Sequence, residues 1–357
     1  MSRFFNRDLS ALSAYVPGEQ PKDAEFIKLN TNESPYPPSA GVLKAAEEEA
    51  KKLRLYSDPD GRNLRKALAE NYEVRPENIV LGNGSDEILS FCFQAFGGSG
   101  AEFIFPDITY GFYPVFARLY GVKFSEMPLD ERLFITPDDY IGKNKNIIIA
   151  NPNAPSGIYM KLDIIEKIAA TNPDNVVIID EAYIDFGGES AAKLINKYDN
   201  LIVVQTFSKS RSLAGARLGY AITNSALADD LNKIRCSTNP YNVNRITLAA
   251  GEAAIREQDY YDENCRKIIE TREWTKEKLK DLNFSFPESF ANFIFAKRDG
   301  AKGTFLYNEL RKRKILVRHF NNEKISDYLR ITVGSGEEME ALICALSDII
   351  KEGDELK

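Results

Sequence analysis

A lysine with the potential to attack a carbonyl carbon follows an unbroken apolar run. The run is Leu201-Ile202-Val203-Val204, and the segment 206–210 behind it contains Ser208 and Lys209. Such a run is typical of a buried strand in a parallel sheet. Open α/β sheets bind ligands at the carboxyl ends of their strands, where partial burial would lower the pKa of the lysine and allow it to form a Schiff base. A solvated surface lysine is the alternative interpretation of Lys209 taken by itself.

Further polar residues stand where other predicted strands end. Gly84 and Ser85 open a helix directly after a strand, so backbone N–H groups and a hydroxyl could bind a phosphate there, unless the segment is a plain turn. Asp180 follows four apolar residues, and a carboxylate buried at that point needs a partner. The partner could be a protonated pyridine nitrogen or a structural arginine. Tyr183 could reach an oxygen on the same ring, or it could simply pack.

Cationic and aromatic side chains complete this set. Arg217 offers a guanidinium fork to a phosphate near Ser208. Tyr110 could stack on a planar ring, although its aromatic neighbours also favour a place in the core. We expect Arg318 and Arg330 at opposite ends of C-terminal strands, bound to a substrate carboxylate or phosphate or to a surface acid. Because the carboxyl ends of parallel strands meet in one crevice, the residues that follow strands should converge.

The order of the predicted elements specifies the fold class. Strands and helices alternate from residue 79 to about 222, with a helix over about 162–171, which predicts an α/β fold with a mostly parallel sheet and helices on both faces. A long helical stretch follows over 243–281, and the strands and helices after it do not alternate. This predicts a smaller α+β domain, formed by the C-terminal part and an N-terminal arm. We therefore assign residues 1–30 to the arm, 31–275 to a large cofactor-binding domain and 276–357 to a small domain.

Composition narrows the possible partners. The chain has 357 residues, 43% of them hydrophobic and 28% charged, as expected for a globular protein of two domains. Its net charge of -7 argues against a nucleic-acid partner. The four cysteines are widely spaced and His319 is the single histidine, so we expect no metal and acid–base work by lysine, tyrosine or a carboxylate. No apolar segment approaches the ~20 residues that span a bilayer. We expect no membrane partner, no signal peptide and a cytoplasmic location.

Three motifs in this order resemble those of the fold-type I aminotransferases, which use pyridoxal 5′-phosphate, and the resemblance extends over essentially the whole chain. The motifs are Asn151-Pro152-Asn153-Ala154-Pro155-Ser156-Gly157, Asp180-Glu181-Ala182-Tyr183, and Ser208-Lys209 with Ala214-Gly215-x-Arg217-x-Gly219. Within that family the chain is most similar to the histidinol-phosphate aminotransferases, through the segments 15–18, 29–35, 56–59 and 329–335.

The resemblance implies a role for each candidate residue. Lys209 would bind the cofactor covalently and, once released, carry a proton between substrate and cofactor. Asp180 would keep the ring nitrogen protonated, Tyr183 would contact the ring oxygen, and Tyr110 would stack on the ring. Further cofactor contacts would come from Gly84, Ser85, Asp86, Ser208 and Arg217, with Tyr56 reaching the cofactor phosphate of the other subunit in a homodimer. Substrate contacts would come from Tyr15, Asn32, Arg318 and Arg330.

One position departs from the family pattern. The family usually has an asparagine immediately before Pro-Thr-Gly, where it contacts the ring oxygen. Here Ala154 holds that position, Asn153 precedes it, and Ser156 replaces the threonine. Either Asn153 reaches the ring from one residue away, or Tyr183 holds the oxygen with less help.

The implied reaction converts histidinol phosphate and 2-oxoglutarate to imidazole-acetol phosphate and glutamate, in histidine biosynthesis. One pocket that takes both small anionic substrates in turn needs cationic anchors, which Arg318 and Arg330 would supply. A threonine-phosphate decarboxylase or an aromatic amino acid aminotransferase of the same lineage would carry the same cofactor motifs. A regulator with this fold would need a DNA-binding module, for which the residues before Tyr15 are too few. An NAD-dependent dehydrogenase would need a glycine fingerprint that the chain lacks.

Overall fold

The computed structural model describes residues 2–10, 12–21, 26–98 and 100–355. Its strands are β1 (Ile27–Lys28), β2 (Ile79–Gly82), β3 (Glu102–Pro106), β4 (Lys123–Met127), β5 (Asn146–Ala150), β6 (Val177–Asp180), β7 (Leu201–Thr206), β8 (Gly219–Thr223), β9 (Phe284–Ser285), β10 (Phe293–Arg298), β11 (Ile315–Leu316), β12 (Arg318–His319) and β13 (Leu329–Thr332). Its α-helices are α1 (Ala40–Ala50), α2 (Arg62–Tyr72), α3 (Ser85–Phe96), α4 (Tyr113–Leu119), α5 (Leu162–Thr171), α6 (Ser225–Thr238), α7 (Arg245–Arg256), α8 (Gln258–Asp281), α9 (Gly303–Lys312) and α10 (Gly336–Glu355). None of the described helices is both long and apolar enough to cross a membrane.

A seven-stranded sheet with the order β2-β8-β7-β6-β5-β3-β4 forms the centre of the fold. The neighbours from β4 to β7 pair in parallel, whereas β8 runs antiparallel to both β7 and β2. The loop between β7 and β8 contains only a short 3₁₀ turn, and a parallel return would have required a long crossover. The predicted mostly parallel sheet with flanking helices is therefore confirmed.

Helices cover both faces of this sheet, so its central strands are apolar in nearly every position. Along β6, Ile179 belongs to the same buried cluster as Leu68 of α2 and Ile168 of α5, while Ile178 belongs to the cluster on the opposite face, with Phe93 of α3. Successive side chains of a strand point to opposite faces, and here each face meets a helix layer. Burial of both faces fixes the strand ends firmly, which is what a site built on those ends requires.

A second sheet, with the order β12-β13-β10-β9, belongs to the smaller part of the fold. It is antiparallel and packs against α8, α9 and α10. β1 pairs in parallel with β11, so the N-terminal segment adds to this part as predicted. The expected helical stretch over 243–281 divides at Glu257, because α7 packs on α1 and α2 while α8 extends to the smaller sheet. The predicted domain boundary at residue 275 falls inside α8 and stays a prediction.

The expectation that Arg318 and Arg330 lie at opposite ends of their strands is wrong. β12 and β13 are antiparallel neighbours, and the two arginines are paired directly across them. The sequence indicates which face of a strand an arginine occupies, but the register of one short strand against another depends on turns and packing.

Arg272 of α8 connects the two sheet layers through hydrogen bonds. It is buried, and its Nη1 donates to the carbonyl oxygens of Phe186 (3.1 Å) and Ala291 (2.9 Å). Its Nε donates to the half-exposed carboxylate of Glu273 at 2.9 Å. A guanidinium taken out of water is tolerated only where such acceptors replace the solvent.

We therefore expect Arg272→Met to lower the free energy of unfolding by about 2–5 kcal/mol, because it leaves two interior carbonyls unpaired. Denaturant titration measures the change. Glu273→Gln is the matched control, and it should cost less than Arg272→Met because Glu273 is half-exposed and the amide oxygen of glutamine can still accept from Arg272 Nε. Equal small losses in the two variants would contradict the connecting role of Arg272.

Candidate active site

A cavity of about 350 Å³ lies where the central strands end. The predicted site residues that line it are Ser85, Asp86, Tyr110, Asp180, Tyr183, Ser208, Lys209 and Arg217. They come from the segments that follow β2, β3, β6 and β7, and from the turn that leads into β8. The parallel arrangement of the strands brings all these segments to one edge of the sheet.

One end of the cavity is built to hold an anion. Gly84 has a left-handed φ of 81°, and a Cβ there would lie 2.5 Å from Nη2 of Arg217. The glycine therefore lets the guanidinium approach the first turn of α3, where Ser85 begins the helix. Arg217 Nη2 donates to Asp86 Oδ2 at 3.1 Å. Free N–H groups at a helix N-terminus, a hydroxyl and an arginine fork together suit a phosphate.

Asp180 ends β6 on the floor of the cavity. Its carboxylate is buried, and the hydroxyl of Tyr113 donates to Oδ2 at 2.8 Å. Oδ1 is also buried and has no hydrogen-bond partner among the described residues. Burial raises the pKa of Asp180 to about 7, while the bond from Tyr113 acts in the opposite direction. An unpaired buried carboxylate oxygen fits a protonated ring nitrogen, which would donate a hydrogen bond and neutralise the charge.

Lys209 lies just beyond β7 on the opposite side of the cavity. Its Nζ donates to the carbonyl oxygen of Thr31 at 3.1 Å and lies 5.9 Å from the ring centroid of Tyr183. Burial lowers the pKa of Lys209 to about 8, and the positive charge of Arg330 contributes to this shift. Roughly one such lysine in ten is neutral at pH 7, against about one in three thousand at an ordinary pKa of 10.5. The amine is therefore available as a nucleophile.

Asn32 positions Tyr183 rather than standing alone in the cavity. Its Nδ2 donates to the tyrosine hydroxyl at 2.9 Å. The backbone of Asn32 has a left-handed φ of 57°. Its N–H donates to Thr332 Oγ1, and that hydroxyl donates to Asn32 Oδ1, both at 3.0 Å. The side chain of Asn292 donates to the carbonyl oxygen of Asn32. Burial raises the pKa of Tyr183, so the phenol stays protonated and can donate to a ring oxygen.

The side chain of Asn153 holds its loop to the segment that follows β3. Its Nδ2 donates to the Ile108 carbonyl (3.0 Å) and to Ser156 Oγ (3.2 Å), and its Oδ1 accepts from Thr109 Oγ1 at 2.9 Å. Ala154, and not Asn153, belongs to the cavity lining. The geometry therefore favours the second of the two alternatives, in which Tyr183 contacts a ring oxygen without Asn153.

Arg330 has hydrogen-bonding capacity that the described residues leave unused. Its Nη2 donates to the carbonyl of Asn30 at 3.0 Å, but its buried Nε has no partner in this part of the chain. The guanidinium lies 5.4 Å from the ring centroid of Phe293 and 5.7 Å from that of Phe320. Burial lowers the pKa of Arg330. A cation with this little solvation is well suited to an anionic ligand.

Arg318 and Tyr15 join the N-terminal arm to the mouth of the site. Arg318 donates to the carbonyl oxygens of Val16 (3.1 Å) and Pro17 (3.4 Å). Tyr15 stacks on Phe112 with 4.3 Å between ring centroids. Both residues thus hold the arm over the aromatic segment, and neither belongs to the cavity lining.

Tyr56 lies away from the cavity of its own chain. It is 81% exposed and stacks on Tyr241 at 4.6 Å between centroids. Leu53 and Leu55, which precede it, are also exposed.

Tyr113 and Glu33 are among the site residues that the sequence does not predict. Tyr113 is one of the aromatic neighbours of Tyr110 that favour a place in the core, although a buried aspartate at a strand end requires a donor, which a nearby tyrosine can supply. Glu33 lines the cavity and forms an ion pair with Lys28. Its position in a proline-rich loop gave no pattern from which to place it.

We expect the covalent attachment of pyridoxal 5′-phosphate to cofactor-free protein to accelerate about tenfold per pH unit below pH 8 and to level off above it. The reason is that only the neutral amine of Lys209, whose pKa is about 8, attacks the aldehyde. Stopped-flow absorbance measures the rate, and Lys209→Ala should show no attachment phase. A rate that kept rising to pH 10.5, the ordinary lysine value, would contradict the depressed pKa.

Known proteins are similar to this chain in sequence and in architecture. The family described as aminotransferase class I and II matches residues 24–346. The histidinol-phosphate aminotransferase of Brachyspira hyodysenteriae is 48% identical over 353 residues, which cover 98% of this chain and 100% of that protein. The enzyme of the same name from Clostridium beijerinckii is 45% identical over 351 residues, with 98% of both chains covered.

A solved structure gives the same result at lower identity. The histidinol-phosphate aminotransferase of Sinorhizobium meliloti in complex with pyridoxal-5′-phosphate is 25% identical, with a TM-score of 0.88 over 99% of both chains. Three features of the cavity fit that cofactor. The unpaired Oδ1 of Asp180 suits the ring nitrogen, and the anion site at the N-terminus of α3 suits the phosphate. The amine of Lys209, part of which is neutral near pH 7, suits the aldehyde. The chain belongs to the class I and II aminotransferases, which depend on pyridoxal 5′-phosphate.

Proposed function

We propose that the protein transfers the amino group of histidinol phosphate to 2-oxoglutarate, forming imidazole-acetol phosphate and glutamate in histidine biosynthesis. The observation that carries this proposal is the unused, buried Nε of Arg330, whose positive charge lies close enough to Lys209 to lower the lysine's pKa. The relatives at 45–48% identity, which are named for this activity and covered over nearly their full length, support the choice of substrate.

The side chains divide the work between binding and proton transfer. The bound cofactor would supply an electron-withdrawing ring that makes the α-proton of the amino substrate acidic. Lys209, with its depressed pKa, would accept that proton and return it on the other side of the C–N bond. Asp180 would hold the proton on the ring nitrogen, and Tyr183 would donate to the ring oxygen. The N-terminus of α3 with Arg217 would bind the phosphate of the cofactor.

One site has to accept two different anions in succession. A phosphate monoester arrives with the amino donor, and a dicarboxylate arrives as the acceptor. A guanidinium fork binds either group through two parallel N–H donors, which an ammonium cannot do. Arg330 has the free donor for this purpose, and Arg318 stands opposite it on the neighbouring strand.

The direct test supplies cofactor-loaded protein with histidinol phosphate and 2-oxoglutarate. We expect glutamate and the keto product in equal amounts. Parallel reactions offer threonine phosphate, with CO2 as the readout, and phenylalanine in place of histidinol phosphate. Release of CO2 from threonine phosphate would support the decarboxylase instead, and a higher kcat/KM for phenylalanine would support an aromatic aminotransferase. Absence of glutamate from loaded protein would overturn the proposal.

For Arg330→Gln we expect kcat/KM to fall about 10–100-fold for both substrates, mostly through KM, because a charge-assisted hydrogen bond is lost. The pKa of Lys209 should rise at the same time, since the positive charge beside it is removed. Arg313→Gln is the control, because Arg313 pairs with Glu309 and Glu352 at the surface. A loss confined to one of the two substrates would contradict a shared anchor.

The exposed surface formed by Leu53, Leu55, Tyr56 and Tyr241 supports a homodimer whose active sites are completed across the interface. Monomers rarely expose adjoining large apolar side chains. In such a dimer Tyr56 would reach the cofactor phosphate of the other subunit. We also infer a cytoplasmic location, which agrees with a biosynthetic role and with the four free cysteines that the structure describes.

Mixing two impaired variants tests the shared site. Lys209→Ala and Tyr56→Ala should each be weakly active, whereas random re-association of equal amounts should restore about a quarter of wild-type activity. Half the dimers are then hybrids, and two-fold symmetry gives each hybrid one intact site. The control mixes two preparations of Lys209→Ala. No gain above the sum of the separate activities would contradict a contribution of Tyr56 across the interface.

A further inference from the structure

We propose that Tyr113 is a positioning residue that holds the Asp180 carboxylate ionised and leaves its Oδ1 directed at the ring nitrogen of the cofactor. The inference deepens the proposed function and rests on the cofactor site described above. It assigns to Tyr113 a part in the chemistry, in place of the core packing that its aromatic neighbours suggest.

The geometry of Tyr113 suits this task. It is the first residue of α4 and has no exposed surface. Its ring is held edge-on between Phe105 and Tyr110, each with a centroid 5.7 Å away. The hydroxyl therefore has one direction available, and it donates its single proton to Asp180 Oδ2 at 2.8 Å. With Oδ2 engaged, Oδ1 is the free acceptor.

The electrostatic surroundings of Asp180 make this donor important. The titratable groups that act on it from the surrounding elements are Asp86 and Cys92 on α3, Tyr110 before α4, Tyr113 on α4, and Tyr183 after β6. None of these five is a cation, and Asp86 disfavours ionisation, while the cationic side chains of Lys209 and Arg217 line the same cavity as Asp180. Burial raises the pKa of Asp180 to about 7, and the opposing contributions come from the hydroxyl of Tyr113 and the N–H of Ala182.

Proton linkage predicts how the affinity of the site for the cofactor ring changes with pH. The carboxylate that binds a protonated ring nitrogen is ionised, so its pKa falls on binding. Affinity arising from such a group is complete above the pKa of the free site and is lost as pH falls through that value, here about 7. Removal of the Tyr113 hydroxyl raises the pKa of the free site. The loss of affinity then begins at a higher pH, and the deficit narrows as the pH becomes alkaline.

The experiment measures the binding of pyridoxine 5′-phosphate to cofactor-free protein at pH values on both sides of 7. This probe keeps the ring nitrogen and the phosphate but lacks the aldehyde, so Lys209 cannot attach to it. For Tyr113→Phe we expect Kd to rise about tenfold below pH 7, as for a pKa raised by one unit, and to approach the wild-type value in alkali. A structural defect would raise Kd by the same factor at every pH and would overturn the proposal.

Tyr140→Phe is the matched control. Tyr140 is equally buried, but its hydroxyl has no partner among the described residues, so its removal should leave Kd unchanged across the pH range. A second variant should strengthen the hydrogen bond to Asp180 instead of removing it, and it keeps an aromatic hydroxyl at position 113. Tyr113→3-fluorotyrosine carries a more acidic hydroxyl, a stronger donor, and should move the loss of affinity to lower pH. Identical profiles for the phenylalanine, fluorotyrosine and wild-type proteins would overturn the proposal.

A direct readout does not depend on ligand binding. Carbon-13 NMR of the cofactor-free protein should show the pKa of the Asp180 carboxyl raised in Tyr113→Phe and unchanged in Tyr140→Phe. These measurements also separate this inference from the proposed function. Failure of the wild type to bind the probe would count against the cofactor site itself, whereas normal binding without transamination of histidinol phosphate would leave the role of Tyr113 standing.

Discussion

Removal of two ionisable groups from water at one edge of the sheet is the constraint on which the site depends. Burial moves the pKa of Lys209 down to about 8 and that of Asp180 up to about 7. Both shifts weaken the charged form, and they bring an acid and a base that ordinarily differ by more than six pKa units to within about one unit of each other. The amine of Lys209 can therefore accept and return a proton near neutral pH, which transamination requires. Rigid, doubly covered strands make this burial possible, because a mobile edge would admit water and restore the ordinary values.

The smaller part of the fold acts on this chemistry through Asn32. That residue belongs to the N-terminal segment, is held by Thr332 and Asn292 from the smaller sheet region, and donates to Tyr183 of the large part. Arg330 reaches the same place from β13, two residues from Thr332. A displacement of β13 would move the anion anchor and the support of Tyr183 together. Substrate binding at Arg330 would thereby be coupled, through β13, to the hydrogen bond from Tyr183 to the ring oxygen.

Much of this arrangement could be predicted because it depends on local patterns. Four apolar residues before Asp180 and four in the run before Lys209 identify buried strands, and the parallel topology then brings their ends together. The prediction of α5 at 162–171 succeeded because its apolar spacing and length are local properties. The break at Glu257 could not be predicted, since neither glycine nor proline marks it and the cause is the packing of α7 on α1. The pairing of Arg318 with Arg330 depends on the register of β12 against β13, and the hydrogen bond from Tyr113 depends on the position of α4 over β6. Both depend on tertiary packing, which no local sequence pattern specifies.

The loop that carries Asn153 shows how a substitution in a family motif redistributes a task. Because alanine occupies the position next to the cavity, no amide can reach the ring from residue 154, and Asn153 uses both of its polar atoms to hold the loop. The contact to the ring oxygen would then fall to Tyr183, whose hydroxyl accepts from Asn32 and so keeps its own proton for donation. A neutral donor supported by an amide stabilises negative charge on that oxygen less rigidly than two direct donors would. Orientation of Tyr183 by Asn32 would consequently be more important in this chain than it would be with a second amide beside the ring.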